Sequence, residues 1–93
     1  MNLYIVRHGE AVPVGGSVAR DADRPLSRNG AEDSTMMGKA LARLDPGINI
    51  VLTSPLLRAV ETGDLIGREI SNHPAYHVTD NLSPGLSCEA LLQ

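Results

Sequence analysis

The chain has 93 residues, 42% of them apolar and 20% charged, with eight Lys/Arg against eleven Asp/Glu and a net charge of −3. This fits one soluble globular domain or part of one, and a mildly acidic balance argues against a nucleic-acid partner. No apolar run reaches the roughly 18 residues of a membrane span, the N-terminus lacks a signal-peptide pattern, and a single cysteine, Cys88, excludes an internal disulfide, so a cytoplasmic setting is expected.

Residues 2–6 are apolar and partly β-branched and read as a buried strand ending before Gly9. Residues 11–25, broken by Pro13, Gly15, Gly16 and Pro25, read as a loop. Ser27 is placed to cap a helix from Arg28 to about Leu44, with Glu32 and Asp33 early and Arg43 late. Met37, Ala40, Leu41 and Leu44 recur at helical spacing and predict its buried stripe, and Asp45-Pro46-Gly47 predicts its stop.

Residues 48–53 form a second apolar run, followed by Ser54-Pro55 as a cap and first-turn proline for a helix reaching about Ser71. Its inward set is Leu56, Ala59, Val60, Gly63, Ile66 and Ile70. Residues 76–79 read as a short third strand, Asp80 to Leu86 as a loop, and Ser87 as the cap of a last short helix. The alternation β-α-β-α-β-α predicts an α/β fold: three layers, α/β/α, around a mainly parallel sheet. A fourth strand is the expected sequel, so the 93 residues are expected to be a single domain that lacks its C-terminal part.

In such sheets ligands gather at the carboxyl ends of the strands. That edge collects Arg7, His8 and Gly9 after the first strand, and Ser54 and Arg58 after the second, with Arg24 supplied by the proline-bearing loop. Arg58 lies in the first helical turn, off the apolar stripe, where the helix start adds unpaired N–H groups. Guanidinium groups, a helix start and one imidazole on an acidic chain point to a bound oxyanion, most simply phosphate. An imidazole beside phosphate can act as a nucleophile, with arginines stabilising charge on the equatorial oxygens. No metal-ligand spacing is present, and no cofactor is expected.

Arg7-His8-Gly9 after an N-terminal strand resembles the hallmark of the histidine phosphatase superfamily, the phosphoglycerate-mutase-like enzymes. The segment Asp21-Ala22-Asp23-Arg24-Pro25-Leu26-Ser27-Arg28-Asn29-Gly30 is similar to the D-x-x-R-P-L-[ST]-x-x-G stretch of the small SixA-like phosphohistidine phosphatases. The segment from Thr53 to Thr62 resembles the family's S-P-x-x-R-A-x-[QE]-T, and Leu82-Ser83-Pro84-Gly85 its following L-x-P loop. The resemblance implies that His8 is the phosphorylated nucleophile and that Arg7 and Arg58 clamp the phosphate, with Arg24 as a third contact. It leaves Asp21, Asp23, Glu10 and Asp80 as candidates for the general acid. The family's second catalytic histidine belongs to a later strand, beyond residue 93, and neither His73 nor His77 stands in such a context.

The implied activity is metal-independent removal of a phosphoryl group from protein phosphohistidine. The alternatives are a non-catalytic phosphate-binding module and a small-molecule phosphomonoesterase of the same superfamily. Against the latter, only five residues separate Ile70 from Tyr76, too few for a cap over the site. The expected partner is a phosphorylated protein or small molecule, with neither nucleic acid nor membrane, and an uncovered sheet edge predicts oligomerisation or strand exchange. Simpler readings apply elsewhere. Arg58 alone can pair with Glu61 or Thr62 one turn on, and Arg24 can be a loop anchor. Glu61 suits an orienting partner for an arginine better than an acid, Ser54 is explained by capping, Met36 and Met37 by packing, and Cys88, His73 and His77 by structure.

Overall fold

The computed structural model describes residues 3–70 and 74–80. Helix α1 (Arg28–Leu44) begins where Ser27, with extended backbone, accepts the Gly30 N–H on its hydroxyl oxygen at 3.1 Å. That bond satisfies a donor the helix start leaves unpaired. The helix ends as its sequence directs: Asp45 N–H still donates to Leu41 O at 2.8 Å, while Asp45 Oδ1 accepts from Gly47 N–H at 3.0 Å and turns the chain.

The inward face of α1 is not the predicted stripe. Met37 and Leu44 are 43% and 70% exposed, whereas Gly30, Ser34 and Gly38 are buried. The reason is proximity. A Cβ on Gly38 would stand 2.8 Å from Ile66 Cα and 2.9 Å from Ile66 O, so the two helices cross where a larger side chain has no room.

Strand β1 (Ile50–Thr53) pairs in parallel with β2 (Ala75–Val78), Ile50 opposite Ala75 and Thr53 opposite Val78. Helix α2 (Leu57–Arg68) is the crossover that a parallel pair requires. It covers the face carrying Val51 and Thr53, since a Cβ on Gly63 would meet both side chains. The opposite face leaves Ile50 and Leu52 about half exposed. Both strands are shifted slightly from their predicted bounds of 48–53 and 76–79.

Helix α2 also starts later than predicted. Its first bonds run from Ala59 and Val60 N–H to Leu56 O, which makes Leu56 the N-cap and leaves Ser54 too far upstream to cap it; Ser54 is buried instead. The helix closes with short bonds from Glu69 N–H to Ile66 O and from Ile70 N–H to Gly67 O, both 3.1 Å. Gly63, Ile66 and Ile70 are buried as predicted, but Arg58 and Thr62 are buried with them.

The first predicted strand does not form. Residues 3–6 make no ladder among the described residues, and Leu3 and Ile5 are 73% and 83% exposed. A strand exists only through a partner's N–H and C=O groups, and β1 spends its described ladder on β2. The segment is tied down by Tyr4, whose hydroxyl donates to Asp45 Oδ2 at 3.1 Å. The predicted loop at 11–25 is present, with a single 3-10 turn at Asp21–Asp23. His73, the Leu82-Ser83-Pro84-Gly85 motif, Cys88 and the predicted last helix lie outside the described residues. No helix among the described residues is long and apolar enough to cross a membrane.

Candidate active site

His8 follows the N-terminal segment that Tyr4 ties to Asp45. Its ring is oriented by two neighbours of opposite character: Nδ1 is 2.8 Å from Gly9 O, and Nε2 is 3.2 Å from Arg58 Nε. A carbonyl oxygen only accepts and a guanidinium only donates. The proton of the neutral ring is therefore assigned to Nδ1, and the lone pair to Nε2, facing Arg58. This is the arrangement a nitrogen nucleophile requires.

Arg58 reaches His8 from the first turn of α2, with its side chain only 9% exposed. Its Nη1 donates to Asp21 O at 2.9 Å and its Nη2 to Asp21 Oδ2 at 3.1 Å. The sequence places Arg58 off the apolar stripe, but it lies on the buried face of α2, in line with Thr62 and Ile66. The loop carrying Asp21 covers its guanidinium. Neither Glu61 nor the Thr62 side chain engages its guanidinium. Arg24 donates from Nη1 to Asp21 Oδ1 at 3.0 Å and from Nε to Val12 O at 2.7 Å, so it anchors the loop and faces the site at once.

Arg7, His8, Gly9, Glu10, Ala11 and Arg24 line a cavity of about 340 Å³. Arg7 and Glu10 are exposed at its rim, and Glu10 Oε1 accepts from the Ser27 hydroxyl at 3.0 Å. The structure thus gathers His8, Arg58, Arg24 and Asp21 by direct contact, and Arg7 and Glu10 along the cavity wall. Two candidates stand apart. Asp23 is held by Arg20, with Nε 2.8 Å from Oδ2, and Asp80 lies exposed just past β2. The Arg24 hydrogen bond, followed by that of Arg58, holds the Asp21 carboxyl below its ordinary range, and Arg20 does the same for Asp23. Both are ionised at neutral pH.

Two supporting residues have partners other than the arginine side chain the sequence suggested. Thr62 accepts the Gly9 N–H on its hydroxyl oxygen at 3.1 Å and donates to Arg58 O at 2.7 Å. Glu61 Oε1 accepts from Leu26 N–H at 2.8 Å, so it orients the loop backbone and not an arginine. The visible signal for both was their place at the end of the Thr53–Thr62 motif.

Comparison with known proteins identifies the family and the fold. The model of the histidine phosphatase superfamily (branch 1) matches residues 3–83. The chain is 37% identical over 93 residues to an uncharacterised protein of Picosynechococcus, covering 99% of this chain and 54% of that one. It is 34% identical over 84 residues to the phosphohistidine phosphatase SixA of Escherichia coli K12, covering 90% and 50%. A solved structure of the protein histidine phosphatase SixA complexed with tungstate matches with a TM-score of 0.78 and 31% identity, covering 90% of this chain and 52% of that one. The chain therefore spans about half the length of these relatives. It belongs to the histidine phosphatase superfamily, branch 1, and has that superfamily's α/β fold.

Proposed function

We propose that these residues are the N-terminal part of a phosphatase domain that removes a phosphoryl group from protein phosphohistidine through a covalent intermediate on His8. The observation that carries this reading is the His8 ring itself, its Nε2 lone pair turned to Arg58 at the edge of an arginine-lined cavity. The similarity to SixA proteins supports the substrate class, and the tungstate named with one of them is a tetrahedral oxyanion like phosphate.

In the proposed reaction Nε2 attacks phosphorus as the substrate's P–N bond breaks, and the departing imidazole nitrogen takes up a proton. The Gly9 carbonyl, hydrogen-bonded to Nδ1–H, stabilises the positive charge the ring acquires. As the Nε2 lone pair is drawn into the bond to phosphorus, the Arg58 Nε–H that faced it is freed, without reorienting, for an adjacent phosphoryl oxygen, while Arg7 and Arg24 stand along the same cavity to take the others. Water next attacks the phosphohistidine, releasing inorganic phosphate and restoring Nε2. Of the four candidate acids, Glu10 alone lines the cavity, which favours it as the proton donor over Asp21, Asp23 and Asp80. The open rim suits a phosphoryl group carried on a protein surface.

The test is incubation with a labelled phosphodonor, followed by acid and base treatment. The expected label is acid-labile, base-stable and absent from His8→Ala. Label persisting in that variant removes His8 from its role.

A further inference from the structure

We infer that Asp21 is a positioning residue for phosphoryl transfer: it holds the Arg58 guanidinium so that its Nε edge faces His8, and it ties Arg24 to the same carboxylate. Its purpose rests on the phosphatase reading above; its geometry does not. Three of the five Arg58 donors are engaged. One goes to His8 Nε2, and the other two go to Asp21, through its backbone oxygen at 2.9 Å and its Oδ2 at 3.1 Å. Because a guanidinium is planar, fixing its Nη1/Nη2 edge also fixes the direction of Nε–H.

The same residue engages the second arginine twice. Asp21 Oδ1 accepts from Arg24 Nη1 at 3.0 Å, and Asp21 O accepts from Arg24 N–H at 3.2 Å. One residue of a 3-10 turn therefore sets the spacing of two cations that lie 34 positions apart in the chain. Its neighbour Asp23 shares that turn but is spent on Arg20, so it serves as an internal control.

The carboxylate has two opposed effects on a bound anion. It cancels part of the arginine charge, which weakens binding, and it aligns the donors, which strengthens it. Asp21 is 60% exposed, so both effects are modest in the ground state. Transfer is more demanding, because misalignment by about 1 Å costs up to about a hundredfold in rate. Loss of the brace should therefore appear in the rate of phosphorylation more than in anion affinity.

The experiment uses phosphoramidate as donor: its P–N bond breaks, ammonia departs with the electron pair, and Nε2–P forms. Labelling rate, tungstate affinity and His8 ring ¹⁵N shifts are measured for wild type, Asp21→Asn, Asp21→Glu and Asp23→Asn, with circular dichroism verifying the fold. Asp21→Asn is expected to slow labelling about tenfold, to change tungstate affinity far less, and to move the His8 shifts away from the Nδ1–H form. Asp21→Glu should recover part of the rate, and Asp23→Asn should leave all three readouts near wild type. Equal effects of Asp21→Asn and Asp23→Asn, or no change in the His8 shifts of Asp21→Asn, would overturn the assignment. A wild-type chain that neither labels nor binds tungstate sinks the phosphatase reading instead, and the His8 shifts still decide the brace.

Discussion

Gly38 offers a perturbation whose sign alone separates two explanations of α1. Replacing it with alanine favours the helix by about 1 kcal/mol, because glycine loses more backbone freedom on folding. The added Cβ would lie 2.8 and 2.9 Å from two backbone atoms of Ile66, against an ordinary contact of at least 3.4 Å. Backbone has no rotamer to yield with, so the helices must part by about 0.5 Å, at a typical overpacking cost of about 1–3 kcal/mol. The net expectation is a loss of about 1 kcal/mol, or about 5 °C in Tm for a domain of this size. Thermal unfolding followed by circular dichroism measures it directly. A Tm that stays level or rises would mean that propensity governs and that the close crossing at Ile66 does not exist.

Arg58→Ala strips His8 Nε2 and Asp21 of their shared partner, and tungstate titration is expected to show affinity weaker by about tenfold or more. The Asp21 carboxyl is held below its ordinary 3.8 in the folded protein, so its contribution to stability is present above that value and fades as acidification passes the depressed one. Wild type should therefore unfold at higher temperature than Asp21→Asn at pH 7, and the gap should narrow in melts taken below about pH 4. Thr53 Oγ1 is buried with no hydrogen-bond partner among the described residues, so Thr53→Val, nearly the same shape, should keep or raise the Tm. A clear drop would reveal a bond to that hydroxyl.

Local chemistry was readable wherever a single residue fixes it. Ser27 and Asp45-Pro46-Gly47 bound α1 as their side chains dictate, and the apolar, largely β-branched run at Ile50–Thr53 marks β1. What could not be read from spacing was which face of α1 lies inward. Helical periodicity assigns burial by hydrophobicity, whereas close backbone approaches select by size: Gly38 faces α2 at Ile66, and Gly30 and Ser34 face the Gly9–Glu10 segment, while Met37 and Leu44 stay exposed. The strand predicted at 2–6 failed because strand character depends on a neighbour. At the site, residue type and position singled out His8, Arg7, Arg24 and Arg58, which the structure brings to one region. It listed Asp21 only as a candidate acid, because a carboxylate's partners depend on how a loop closes.

The Thr62 hydroxyl has a mechanical consequence. It accepts from the backbone of Gly9 and donates to the backbone of Arg58, so the segment bearing the imidazole hangs from the same helix that bears the guanidinium. When that helix rocks or slides, both groups travel together, and the gap between them is insulated from the motion. The helix can thus move without blurring the reactive geometry, in the way two instruments bolted to one bench ignore the vibration of the floor.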